Sequence, residues 1–151
     1  PIGSRPSDQA VGNQDHGSYK VLVIDDDEPI RNAVQRALTN CRFKVFAAAN
    51  GVRGIELVRE VRPDAILLDY WLDDIDGLTW LREARSQVSN FAKTVIIWSA
   101  DFELDVANEA HRVGARYLEK CCPFEQLVVA LTPHGRGTRI DQAKLAVTYS
   151  D

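Results

Sequence analysis

Three short segments of this chain are apolar at every position: residues 21–24, 65–68 and 95–98. A strand that is apolar on both of its faces is typical of the centre of a parallel sheet, where helices cover both sides. These segments are therefore predicted to be the three central strands. Two weaker segments, 43–46 and 115–119, are partly polar and are predicted to be edge strands.

Helical patterns separate these strands. Their apolar residues recur every three or four positions, and the pattern predicts five helices. The fold class expected from this alternation is α/β, a doubly wound five-stranded parallel sheet with five helices. The apolar positions are Ile30, Val34, Ala37 and Leu38; Val52, Ile55, Val58 and Val61; Leu78, Leu81 and Ala84; Phe102, Val106, Ala110 and Val113; and Phe124, Leu127, Val128 and Leu131.

Composition limits what this chain can do. Its 151 residues, 45% hydrophobic and 26% charged, suit one globular domain, predicted over 19–131 between a flexible leader (1–18) and a C-terminal tail (132–151). A net charge of −4 gives no electrostatic reason to expect nucleic acid as a partner of this chain alone. No apolar run is long enough for a membrane span, and the absence of a signal peptide together with three cysteines favours a cytoplasmic location.

Polar residues follow the predicted strands where each one ends. Asp25 and Asp26 follow the first strand, Asp69 the third, Ser99 the fourth and Lys120 the fifth. In doubly wound sheets, ligands bind at the carboxyl ends of the strands, so these side chains are expected to converge. Clustered carboxylates repel one another unless a cation or a shared proton offsets their charge.

Oxygen ligands without His or Cys favour Mg²⁺, which commonly joins one or two carboxylates to a phosphate. Ser99 supplies a hydroxyl donor and Lys120 a positive charge, both suited to phosphoryl oxygens. Asp69 ends an apolar strand between the acidic pair and the Ser/Lys pair. It is therefore the best candidate for a nucleophile that forms an aspartyl phosphate.

Several motifs, in order along the chain, resemble the receiver domain of bacterial two-component response regulators. They are the segment 21–31 (VLVIDDDEPIR), the segment 63–69 (PDAILLD), the pair Asp76-Gly77 and the segment 117–120 (YLEK). The resemblance covers residues 19 to about 131. It implies a flavodoxin-like fold with strand order 2-1-3-4-5.

The resemblance also implies roles for individual residues. Asp69 would accept a phosphoryl group from a histidine kinase or a histidine phosphotransfer protein. Asp26 and Asp69 would bind Mg²⁺ directly, Asp25 through water, and Trp71 through its backbone carbonyl. Ser99 would sense the phosphoryl oxygen, and Lys120 stands where the family keeps a Lys.

Signalling would then follow from a conformational change. The resemblance makes Tyr117 a switch aromatic and makes the face formed by the fourth helix, fifth strand and fifth helix the output surface. That surface would contact a downstream protein target and could also form a homodimer. In such a module the chain would catalyse at most its own phosphorylation and dephosphorylation.

Three departures from the family pattern affect these expectations. Asp73 occupies the place of the usual Pro four residues after the acceptor, which predicts a more mobile loop or a different mode of ion binding. Cys121 replaces the Pro that usually follows Lys120, so either a costly cis bond is kept or the loop is reshaped. The stretch from Gly114 to Tyr117 is one residue short, which could turn Tyr117 to the other face of the sheet.

Simpler interpretations stand beside these. Asp27 is better explained as a helix cap than as a site residue, and Cys121 and Cys122 as small buried apolar residues than as a redox pair. Two other functions are open. One is a phosphatase of the haloacid dehalogenase type with Asp25 as nucleophile and Asp27 as acid, and the other is a binding-only pseudo-receiver.

Overall fold

A computed structural model of the protein describes residues 19–132. The predicted leader and most of the predicted tail lie outside this range. Within residues 19–132, ten elements alternate. They are β1 (Lys20–Ile24), α1 (Glu28–Asn40), β2 (Lys44–Ala48), α2 (Gly51–Val61), β3 (Ala65–Asp69), α3 (Gly77–Gln87), β4 (Thr94–Ser99), α4 (Leu104–Arg112), β5 (Arg116–Glu119) and α5 (Phe124–Leu131).

The five strands form one parallel sheet in the order β2-β1-β3-β4-β5. The three fully apolar segments are the central strands, and the two mixed segments are the edges. The predicted fold class and strand order are therefore confirmed. Among the described residues, no helix is long and apolar enough to cross a membrane.

Alternate side chains of the central strands pack into two separate cores. On one face, Leu22, Ile24 and Leu68 pack with residues of α2, α3 and α4. On the other face, Val23 and Leu67 pack with residues of α1 and α5. Because side chains of a strand alternate between faces, an all-apolar strand serves both cores at once.

Side-chain caps mark the start of three of the five described helices. The side chains of Asp27, Asn50 and Asp76 accept a backbone N–H in the first turns of α1, α2 and α3, respectively. The Asp27 cap, with its carboxylate 3.1 Å from the Ile30 nitrogen, confirms the helix-cap interpretation of that residue. The fourth helix is shorter than predicted, because Phe102 lies before α4 and is 55% exposed.

The C-terminus of α2 has a conformation that L-amino acids rarely adopt. Arg62 caps this helix in the left-handed region, with φ 52° and ψ 69°. Helices that end this way usually have Gly at that position, because Gly has no Cβ to clash. Arg62 therefore holds backbone strain that a glycine would relieve.

We expect Arg62→Gly to raise the free energy of unfolding by about 1 kcal/mol, the lower end of the cost of a left-handed non-glycine residue. Urea denaturation followed by circular dichroism measures the change. Arg62→Ala is the matched control, because it removes the guanidinium group but keeps the Cβ. Equal stabilisation by Ala and Gly would show that the backbone is not the cause.

Candidate functional site

The register of the sheet brings the predicted site residues to one edge. Ile24 pairs with Leu68, Asp69 with Trp98, and Ser99 with Glu119. The residues that follow or end these strands therefore meet at the carboxyl edge. Those residues are Asp25, Asp26, Asp69, Ser99 and Lys120.

Three carboxylates form the centre of this site. Asp25, Asp26 and Asp69 each offer an oxygen, and these oxygens lie within 4.8 Å of one another. Asp25 and Asp69 are buried, whereas Asp26 is partly exposed. The site is thus an acidic cluster that is buried at Asp25 and Asp69 and reaches solvent at Asp26.

Lys120 is the cation that faces these acids. Its Nζ lies 3.0 Å from Asp25 Oδ2 and 3.4 Å from Asp69 Oδ1. The ammonium group also lies 5.4 Å from the centroid of the Trp98 ring, a cation–π distance. One ammonium group thus partly offsets the charge of two buried carboxylates.

Lys120 reaches this position without a cis peptide bond, since residues 19–132 contain none. Of the two outcomes expected from Cys121, the structure shows the reshaped loop. The Lys120 N–H donates to the Ser99 carbonyl at 2.7 Å, and the Cys122 N–H donates to Glu119 at 3.0 Å. These two bonds hold the backbone on either side of the lysine.

Backbone groups orient the two buried acids. Asp25 Oδ1 accepts the N–H of Asp27 at 2.9 Å, and Asp69 Oδ1 accepts the N–H of Trp71 at 3.2 Å. The guanidinium of Arg31 donates to the Asp25 carbonyl at 2.8 Å. The sequence does not predict this contact of Arg31. Its position one turn into α1, six residues after Asp25, is the signal that could have indicated it.

The Asp76-Gly77 pair has a structural explanation. The Gly77 N–H donates to the Tyr70 carbonyl at 2.7 Å, and a Cβ on Gly77 would lie 2.9 Å from the Asp69 carbonyl oxygen. Only glycine fits this close to the Asp69 backbone. Asp76 caps α3, where its carboxylate accepts the Thr79 N–H at 2.9 Å.

Burial and neighbouring charge shift the titration of Asp69. Burial, followed by the negative charge of Asp25, raises the pKa of Asp69 to about 7, although Lys120 acts in the opposite direction. Outside the buried pocket, a hydrogen bond to Asp26 raises the pKa of the Asp73 carboxyl above its ordinary value. The acids therefore resist ionising together.

Mg²⁺ fits the donor set that this pocket presents. Three carboxylates converge, and the fully buried Asp25 Oδ2 has an ion pair with Lys120 at 3.0 Å. A small divalent cation prefers oxygen ligands and would relieve the mutual repulsion of the acids. A bound cation would therefore lower the electrostatic repulsion among the three carboxylates.

Tyr117 is a residue of β5 whose side chain contacts the loop after Ser99. Its hydroxyl donates to the Asp101 carbonyl at 2.7 Å and accepts the Glu103 N–H at 3.3 Å. Its ring contacts Phe102 edge-on, with centroids 5.7 Å apart. Tyr117 therefore connects β5 to the loop that follows β4.

One sequence interpretation is wrong. Cys121 is exposed rather than buried, because its side chain lies on the turn after β5. A hydrogen bond to Glu119, at 3.3 Å, raises the pKa of the Cys121 thiol. The thiol is therefore held in its protonated form more firmly than an isolated cysteine.

The fold and the acidic pocket define a receiver-type phosphoacceptor module, and comparison with known proteins agrees. The family model described as "Response regulator receiver domain" matches residues 21–132. The chain belongs to this family.

Curated relatives carry related names. "Response regulator MprA" of Mycobacterium ulcerans is 29% identical over 139 residues, which cover 89% of this chain and 59% of that protein. "Sporulation initiation phosphotransferase F" of Bacillus subtilis is 34% identical over 96 residues, or 64% of this chain and 76% of that protein. The chain spans about three fifths of the length of the MprA proteins that it matches.

Solved structures share the fold. The Francisella response regulator 1452 receiver domain aligns with TM-score 0.68 and 27% identity, covering 76% of this chain and 93% of that one. Vibrio cholerae chemotaxis protein CheY4 aligns with TM-score 0.69 and 25% identity, covering 75% and 95%.

The chain is thus a receiver domain of two-component systems, a class that is generally a signalling module and not a true enzyme. Receiver domains bind Mg²⁺ at an acidic pocket and interact with histidine kinases or phosphotransfer proteins. The haloacid dehalogenase alternative is not favoured. Its proposed acid, Asp27, caps α1, and its proposed nucleophile, Asp25, is fully buried against Lys120.

The raised pKa of Asp69 predicts a dependence of stability on pH. Its folded-state value of about 7 exceeds its ordinary value of 3.8, so unfolding releases a proton between those values. The contribution of Asp69 to stability is therefore present below the lower value and is lost as the pH rises towards 7. Without metal at pH 8, we expect Asp69→Asn to raise the free energy of unfolding by about 1 kcal/mol or more.

The gain in the free energy of unfolding from Asp69→Asn should be smaller at pH 5, where the wild-type carboxyl is protonated. The gain should also be smaller when Mg²⁺ is added to the wild type. Thermal unfolding at both pH values in a chelating buffer measures it. Asp101→Asn, at an exposed acid of the neighbouring loop, is the matched control. A gain of equal size at pH 5 and pH 8 would contradict the titration of Asp69.

Proposed function

We propose that Asp69 is the phosphoacceptor of this receiver domain and that Asp25, Asp26, Asp69 and the Trp71 carbonyl provide the Mg²⁺ site. The convergence of three carboxylate oxygens beside the Lys120 ammonium is the observation that supports the proposal most strongly. Mg²⁺ would neutralise charge on the transferring phosphoryl group.

The residues of the chain have distinct roles in the transfer. An ionised Asp69 oxygen attacks phosphorus as the bond from phosphorus to the donor nitrogen breaks, and the donor histidine retains that electron pair. Lys120, already 3.4 Å from Asp69, pairs with a phosphoryl oxygen, and the Ser99 hydroxyl donates to another. Hydrolysis of the resulting acyl phosphate by water reverses the modification, so the domain catalyses only its own phosphorylation and dephosphorylation.

We propose that Tyr117 couples phosphorylation to a change of the protein surface. A phosphoryl group bound by Ser99 would displace the loop that follows β4. The Tyr117 hydroxyl holds that loop through hydrogen bonds to the Asp101 carbonyl and the Glu103 N–H. Release of these bonds would change the surface formed by α4, β5 and α5. We propose that this surface contacts a downstream protein target or a second copy of the domain.

The proposed setting is cytoplasmic, with a histidine kinase or histidine phosphotransfer protein as donor. We propose no nucleic-acid contact by this chain alone, given its net charge of −4, and no membrane contact. The proposed domain limits are those of the sequence analysis: a leader over 1–18, the receiver over 19–131 and a tail over 132–151.

An acyl phosphate such as acetyl phosphate, supplied with Mg²⁺, should add one phosphoryl mass to the protein. Intact mass spectrometry detects this adduct. Asp69→Asn should abolish it, because an amide cannot act as the nucleophile, whereas Asp101→Asn should leave it unchanged. Absence of an adduct in the wild type with several donors, combined with retained partner binding, would instead support a pseudo-receiver.

Mg²⁺ should change the intrinsic tryptophan fluorescence, because Trp71, which is 59% exposed, lies two residues after Asp69. The response should fall in Trp71→Phe, with the buried Trp80 as the internal reference and a smaller residual change from Trp98, whose ring lies 5.4 Å from the Lys120 ammonium. A flat titration of the wild-type protein would argue against metal binding next to Trp71.

A further inference from the structure

The loop between Asp69 and α3 is fastened to the start of a different helix. The carboxylate of Asp74 accepts the Gly51 N–H at 3.0 Å through Oδ1 and 3.1 Å through Oδ2. Its Oδ2 also accepts the Val52 N–H at 3.3 Å. The first N–H groups of a helix have no partner within the helix, and a negative charge near them is stabilised by the helix dipole.

The N-terminus of α2 therefore has two caps of different kinds. Asn50 is a local cap, whose Oδ1 accepts the Arg53 N–H at 2.8 Å. Asp74 is a remote cap: α2 precedes β3 along the chain, whereas Asp74 lies in the loop that follows β3. If Asp74 served only to stabilise α2, loss of either cap would have the same kind of effect.

Close packing holds the rest of the same contact. The Trp80 Nε1 donates to the Gly51 carbonyl at 2.8 Å. A Cβ on Gly51 would lie 2.8 Å from Ile75 Cγ2 and 2.8 Å from Trp80 Cδ1, so the loop and α3 lie directly against this glycine. The hydrogen bonds and the packing fix the same part of the loop.

The loop held in this way includes groups proposed to bind the ion. Trp71 lies between Asp69 and Asp74, and its N–H donates to the acceptor carboxylate at 3.2 Å. Asp73, directly before Asp74, replaces the rigid proline that the family usually has. The link from Asp74 to α2 supplies a constraint on the loop that does not depend on that proline.

We propose that Asp74 is a positioning residue, which holds the acceptor loop in the geometry that binds the divalent ion and the incoming phosphoryl group. The inference rests on the proposed function of the site. Asp74 acts through the loop, and its carboxylate is committed to the N–H groups of Gly51 and Val52.

The test compares Mg²⁺ affinity across four proteins: wild type, Asp74→Ala, Asp74→Asn and Asn50→Ala. Calorimetric titration gives the Mg²⁺ dissociation constant, and urea denaturation gives the stability of each protein. Loss of a group that orients metal ligands typically weakens affinity about 10-fold or more, and we expect that effect in Asp74→Ala. Asp74→Asn, which keeps an oxygen acceptor for the two N–H groups, should stay within about threefold of wild type, well short of that loss.

Asn50→Ala is the matched control, because it removes a cap from the same helix without touching the loop. It should lower stability and leave the Mg²⁺ dissociation constant unchanged. The rate of adduct formation with acetyl phosphate should fall in Asp74→Ala at low Mg²⁺ and recover towards wild type when Mg²⁺ is saturating.

Three results would overturn the proposal. Unchanged affinity in Asp74→Ala would remove the link between loop and ion. Equal weakening in Asn50→Ala would show a general effect of helix stability, and equal weakening in Asp74→Asn and Asp74→Ala would show simple charge attraction. Failure of the proposed function is distinguishable, because it appears in the wild-type protein as absence of both Mg²⁺ binding and the adduct.

Discussion

The candidate site is built on an unfavourable contact: two buried carboxylates, those of Asp25 and Asp69, lie beside a single ammonium group. Burial, followed by the negative charge of Asp25, raises the pKa of Asp69 to about 7, so the two acids resist ionising together. Lys120 offsets part of this repulsion. The remaining negative charge favours a small cation beside these oxygen atoms.

The sheet is what allows such a contact to persist. Buried apolar residues of β1 and β3 pack into cores on both faces, so the strand ends cannot separate to relieve the repulsion between Asp25 and Asp69. Backbone N–H groups of Asp27 and Trp71 then hold the two carboxylates in fixed orientations. The stability of the core thus sustains an arrangement that would not form by itself.

The departures from the family pattern are accommodated locally. Lys120 is joined to Cys121 by a trans peptide bond. Its N–H donates to the Ser99 carbonyl, and its ammonium group lies over the Trp98 ring. In the loop between Asp69 and α3, the Asp74 contact with α2 lies next to Asp73, the position of the missing proline. Residues at neighbouring positions thus hold the backbone near both departures by hydrogen bonds.

The sequence by itself determined the fold class and the members of the acidic site. Continuous apolar segments can be satisfied only by burial on both faces, and parallel strands bring their carboxyl ends to one edge. It could not reveal the Arg31 contact, the Trp98–Lys120 pair or the link from Asp74 to Gly51, and it misplaced Cys121 and Phe102. These depend on distances between residues far apart in the chain and on the path of turns, which only the packed tertiary structure decides.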